Sequence, residues 1–160
     1  FCCFTGLSFT DMKNLTKDNV QTSFDGKLWI MTKRQKTGVE SNIMLMDIPL
    51  RIIEKYDGMA KENYLLPVPQ YITACKNLKT IIGLCGIEKN ITWHTSRHTM
   101  ATEICLTNGV PIETLSKMLG HTNIRTTQIY AKITHEKESR DMNSLSDKLS
   151  RIEQFSGITI

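Results

Sequence analysis

No run of 18 apolar residues occurs in this chain of 160, so a membrane-spanning helix of ordinary length is excluded, and no secretory signal pattern opens it. Cys-x-x-Cys is missing too. The five cysteines (Cys2, Cys3, Cys75, Cys85 and Cys105) are odd in number and irregularly spaced, and they read as reduced, mostly buried thiols of a cytosolic protein rather than a disulfide or metal framework. Charge of one sign is not in large excess: the net charge is +4, too small by itself to indicate nucleic acid. Its distribution says more. Lys27, Lys33, Arg34 and Lys36 fall within 27–38, where no acidic residue occurs, whereas 136–153 mixes four Lys/Arg with five Asp/Glu and is not expected to lie against phosphates. The length is that of one domain with a real core. The first residue is Phe1, not Met, in what reads as the end of an apolar helix, so the chain is expected to be a fragment.

What is present is concentrated between His94 and Tyr130. His94 and Arg97 are three apart, so a helix beginning there places both on one face. The segment 111–119 opens with Pro111 and stops before Gly120, and Ile112, Leu115, Met118 and Leu119 recur at helical spacing. His121 then leaves a helix end where the chain turns. Thr122 or Asn123 can cap a further helix, with Tyr130 two turns into it.

His94-x-x-Arg97, Leu119-Gly120-His121 and a Tyr130 nine residues after that histidine resemble the catalytic core of the tyrosine recombinases, the phage-integrase family. The resemblance runs from about Phe4 to Ile133. It implies an α+β, mainly α-helical catalytic domain with a small three-stranded antiparallel sheet at one side. It also implies an N-terminal core-binding domain that this chain lacks, and the integrase of a mobile element in a bacterial cytoplasm. The partners implied are double-stranded DNA and further copies of the protein, as a tetramer on DNA; no cofactor and no metal is implied.

The resemblance also assigns roles. Tyr130 is the nucleophile on the scissile phosphodiester, Arg97 a planar fork for the phosphate and His121 a further donor. His94 takes the tyrosine proton or bonds the phosphate, and Lys36, in Lys36-Thr37-Gly38, is the general acid to the leaving 5′ oxygen. A phenol is almost wholly protonated at neutral pH and needs a base or positive surroundings to attack. The resulting 3′-phosphotyrosine keeps the bond energy, so a second 5′ hydroxyl can reverse the step without metal or ATP. The family has a first arginine after Thr-Gly-Leu; here Ser8 stands there, with Asp11 at the acidic position that follows. An uncompensated loss of one charged donor costs on the order of 3 kcal/mol, about two decades in rate. Lys33 or Arg34 is expected to reach in from the nearby sheet.

Two other readings stand beside this one: a type IB topoisomerase, with a similar residue set but religation of the same strand, and a DNA-binding or regulatory relic, suggested by Ser8. Zinc on His94 and His98 is disfavoured, because Thr95 follows the first histidine and Arg97 between them repels a cation; His98 reads as a structural hydrogen-bonding residue.

The rest reads as scaffold. Helices are expected at 9–15 (Met12 and Leu15 inward), at 47–59 (Ile48, Ile52, Ile53 and Tyr56 inward) and at 70–84 (Tyr71, Ile72, Cys75, Leu78, Ile81 and Ile82 inward). Strands are expected at 28–31 and 42–46, joined as a hairpin through 36–39. Lys76 and Lys79 are candidate phosphate contacts. Residues 135–155 read as a C-terminal helix whose Met142, Leu145, Leu149 and Ile152 form a packing seam, onto its own domain or a neighbouring protomer.

Overall fold

A computed structural model of the chain describes residues 1–131 and 135–156, with side chains over 1–131 and 138–151. The chain divides into two units, Phe1–Tyr130 and Ala131–Ile160. The first is mainly helical with one small sheet, the expected class. Its order is α1 (Cys2–Thr5), α2 (Phe9–Lys13), β1 (Val20–Thr22), β2 (Leu28–Lys33), β3 (Glu40–Met44), α3 (Asp47–Lys55), α4 (Tyr71–Leu84), α5 (Trp93–Thr99), α6 (Ile112–Met118) and α7 (Arg125–Gln128). The second holds α8 (His135–Ser156), on which Met142, Leu145 and Leu149 are exposed; the Ile152 side chain lies outside the described residues. Among the described residues no helix is long and apolar enough to cross a membrane.

The strands pair antiparallel in the order β1-β2-β3, and the hairpin is the expected one. Alternation puts Ile30 opposite Ile43, both fully buried. Ser41, on the same inner face, donates from Oγ to the Met118 carbonyl at 2.5 Å, and Thr37 Oγ1 donates to the Gly120 carbonyl at 3.1 Å. Two hydroxyls thus fasten the hairpin to the end of α6, beside His121.

Two apolar clusters carry the unit. One joins Leu7, Phe9, Met12 and Leu15 to the sheet; the other joins Met100, Cys105, Leu115 and Leu119 to Tyr130. Met12 and Leu15 point inward as expected. Trp93 packs its ring on Phe9 at 5.0 Å and anchors the start of α5. After Thr99 that helix widens into a π-helical stretch, Met100–Leu106, with Thr107 N–H donating five residues back to Thr102.

Several expected details are corrected. The helix from Asp47 ends at Lys55 rather than Met59, because Gly58 takes a left-handed φ of 73° just beyond it, and Ile48 faces solvent while Pro49 is the buried residue. On α4 the inward stripe is narrow. Ala74 is buried and Cys75, Leu78 and Ile82 are half-buried, but Tyr71, Ile72 and Ile81 lie outside the covered strip and are exposed. Of the five thiols only Cys2 and Cys105 are buried, and Cys85 is exposed. Tyr130 is not two turns into a helix. α7 has four residues, and Tyr130 lies in the turn after it, with β-branched Thr126, Thr127 and Ile129 around it.

Gly6 ends α1 with a φ of 67°, and a Cβ there falls 2.8 Å from Cδ2 of the buried Leu119. Gly6→Ala is therefore expected to lower stability by about 1–3 kcal/mol, from left-handed strain plus overpacking. Chemical denaturation checks this; an unchanged midpoint would contradict it.

Candidate active site

Arg97 is the centre, and its surroundings follow from its place on the second turn of α5, where only 3% of it is exposed. A buried guanidinium must place its N–H groups. Nη1 donates to the Gly6 carbonyl at 2.5 Å, Nη2 donates to the Leu119 carbonyl, and Nη2 also meets His121 Nε2 at 3.1 Å. Nε is buried with no acceptor among the described residues. Burial and the charge of Arg34 pull this guanidinium down to about 10, while Tyr130 and Asp11 hold it up, Tyr130 partly through a hydrogen bond. It remains charged at neutral pH.

His121 leaves the end of α6 as expected, just after Gly120 at a φ of 60°. Its Nδ1 lies 2.8 Å from Thr127 Oγ1. Arg97 can only donate, so Nε2 accepts and Nδ1–H donates to Thr127. In this arrangement His121 Nε2 is an acceptor that aims the arginine; the donor role expected from sequence is one towards a DNA phosphate. Burial first, then Arg97, Arg34 and His94, push the ring down to about 4.

A stability consequence follows for His121. The folded value lies below the ordinary 6.5, so the stabilisation is complete above 6.5 and is lost as pH falls towards 4. Proton NMR of the His121 ring should show a midpoint near pH 4, rising in Arg34→Gln. A midpoint at 6.5 in the native chain would contradict the geometry.

His94 shares the face of α5 with Arg97, at its N-terminal end. Burial, then His98, Arg97, Arg34 and Lys36, lower its value. It is held neutral and can accept a proton. Lys36 is exposed in the hairpin turn, close enough for its charge to be felt at His94. Tyr130 is 5% exposed. Its ring stands edge-on to His98, with centroids 4.7 Å apart and planes at 82°, and near-parallel to His121 at 6.5 Å and 13°.

Ser8, Phe9, Thr10, Tyr71, Trp93, His94 and Arg97 line a cavity of about 320 Å³, which places Ser8 beside the site. Its hydroxyl donates to Asp11 Oδ2 at 2.6 Å and accepts from Asp11 N–H, capping α2. The other Asp11 oxygen accepts Gln35 N–H at 2.9 Å, pinning the residue after Arg34. Arg34 is half-buried, its stem 3.3–3.5 Å from where a Gly120 Cβ would lie. Its Nε, like that of Arg97, is buried without an acceptor among the described residues. Arg34 acts on His94, Arg97 and His121 alike. Lys33 is exposed at the end of β2, opposite Glu40, and Lys76 and Lys79 are exposed on α4.

Sequence reasoning missed Thr127, Thr37 and the bond from Asp11 to Gln35; a hydroxyl six residues after His121 was the one available signal for Thr127. The reading of His98 is corrected as well. Among the described residues its ring makes no hydrogen bond, only edge-to-face contacts with His94 and Tyr130.

The sequence matches the phage integrase family over residues 1–137. The tyrosine recombinase XerD of Lacticaseibacillus casei is 46% identical over 61 residues, which is 38% of this chain and 20% of that protein. A tyrosine recombinase of Pseudothermotoga lettingae is 29% identical over 153 residues, 89% of this chain and 50% of that protein. The chain thus spans from a fifth to a half of the length of these relatives. Among solved structures, a XerH site-specific recombinase bound to difH substrate in a pre-cleavage complex matches with a TM-score of 0.67 at 18% identity, covering 88% of this chain and 44% of that one.

Proposed function

The chain belongs to the phage integrase family, as a tyrosine-recombinase catalytic domain, and on that premise we propose that it cuts and rejoins DNA strands through Tyr130 in site-specific recombination or integration. The observation that carries this is the cationic cluster beside Tyr130. Arg97 and Arg34 lie near one another, each with a buried Nε–H that no group among the described residues accepts, and two histidines held neutral flank them. Like charges kept together with donors to spare complement an acceptor-only anion such as a phosphodiester.

Tyr130 Oη bonds to phosphorus and gives its proton to His94, while the 5′ oxygen leaves with a proton from Lys36. Arg97 and Arg34 hold the charge that builds on the non-bridging oxygens, and Arg34 stands in for the arginine that Ser8 replaces. His121, oriented by Thr127, keeps Arg97 aimed. The 3′-phosphotyrosine is then attacked by another 5′ hydroxyl. Exchanging both strands of two duplexes requires four such cleavages, which is why four copies are expected to assemble on DNA. Lys76 and Lys79 on α4 supply more distant phosphate contacts in this reading.

A nicked suicide substrate, drawn as a library from the flanks of the encoding element, tests the proposal. The expected result is a covalent protein–DNA band on a denaturing gel and recombinant joints with two intact sites. Firm DNA binding without a band would support a regulatory relic. Plasmid relaxation without joints would support a topoisomerase.

A further inference from the structure

Tyr130 closes the first unit in a turn behind a helix of four residues, so the backbone holds it lightly: its N–H donates to Thr127 at 3.0 Å. A tyrosine has two side-chain torsions, and a short turn does not set them; the groups that touch the ring must. The apolar cluster of Met100, Leu115 and Leu119 buries one side of it, and His121, itself held by Arg97 and Thr127, lies near-parallel to it. On its remaining side stands His98, whose ring is T-shaped to it with centroids 4.7 Å apart and planes at 82°. His98 lies on α5 one residue after Arg97 and stacks edge-to-face on His94 at 5.0 Å and 88°. One helix therefore carries the phosphate clamp, the proton acceptor and a ring against the nucleophile.

We propose that His98 is a positioning residue: its ring sets the plane of Tyr130 and so the line of approach of Oη to the phosphorus. This rests on the reading of Tyr130 as nucleophile and adds a residue to it. The contact acts through shape and the ring quadrupole, so it needs an aromatic ring and not a ring nitrogen. A misdirected hydroxyl loses rate, not affinity, because near-attack geometry matters in the transition state and little in binding.

The test uses His98→Ala and His98→Phe in the full chain. At saturating nicked substrate, His98→Ala is expected to slow covalent-complex formation about five- to tenfold, with DNA affinity and the thermal midpoint unchanged. His98→Phe is expected to restore most of the rate. Cleavage by His98→Ala at the native rate, a His98→Phe as slow as His98→Ala, or a loss confined to affinity would each overturn the proposal. A second measurement does not depend on cleavage. In DNA-free protein, ring-proton contacts between Tyr130 and His121, read by NMR, should be lost in His98→Ala and kept in His98→Phe. Contacts unchanged in His98→Ala overturn the positioning role even if no covalent band ever forms, and a native chain that keeps the contacts yet forms no band places the failure with the nucleophile assignment instead.

Discussion

Tyr130→Phe is expected to abolish the covalent band, a fall on the order of 10⁵-fold or more, while DNA binding persists. In the proposed reaction the phenol oxygen is the atom that bonds to phosphorus, so nothing else in the site takes over its part. The substitution also leaves the rest nearly intact. The ring stays in the cluster of Met100, Leu115 and Leu119, against His98 and His121. Beyond the nucleophile only the hydroxyl is lost, so the thermal midpoint is expected to stay within a few degrees. A gel after suicide-substrate cleavage and a mobility shift at equilibrium separate the two quantities. A band that survives in Tyr130→Phe would move the chemistry to another tyrosine and sink the assignment.

The second large effect concerns the missing first arginine. Arg34→Ala is expected to slow cleavage about 10²-fold, as removing one charged donor from a developing oxyanion does, whereas Lys33→Ala stays within about twofold, as exposed sites away from the chemistry do. The two are neighbours in sequence but not in circumstance. Lys33 ends β2 facing solvent; Arg34 begins the turn, lies against the bare Cα of Gly120 and is held by the Asp11 bond to Gln35. Ser8→Arg should recover part of the loss in the Arg34→Ala chain, because Ser8 borders a cavity of about 320 Å³ shared with His94 and Arg97. In the native background the same change crowds a third guanidinium against two others and is expected to slow the enzyme. Opposite signs in the two backgrounds form a double-mutant cycle with strong coupling. Rates that simply multiply would show that Arg34 and Ser8 do not share one task.

How much was legible beforehand depended on how local each cause is. His94 and Arg97 on one helical face, the hairpin around Lys36 and the release of His121 beyond Gly120 all follow from spacing within a dozen residues, and they hold. The choice between Lys33 and Arg34 was not legible, because it turns on Asp11, whose partner Gln35 lies 24 positions on. The acceptor role of His121 was hidden too. A histidine takes either role, and the deciding groups, Arg97 and Thr127, come from two other elements. Apolar spacing on α4 overstated burial, because periodicity reports which side chains share a face but not how wide a strip the rest of the unit covers.

Arg97 carries a consequence for how such chains decay. It bonds the carbonyls of Gly6 and Leu119, 91 and 22 positions away, so three separate segments of the fold meet on one side chain. A gene copy released from selection for cutting DNA, yet still required to make a folded protein, could drift at the exposed Lys36 at small cost to stability, and at Tyr130 only towards a ring that fills the same buried place, but not at Arg97, whose loss strands two buried carbonyls at once. An intact arginine in a homologous sequence is thus a signature of foldedness, and under the proposed mechanism the state of the tyrosine and the turn lysine is what separates a living enzyme from a fossil.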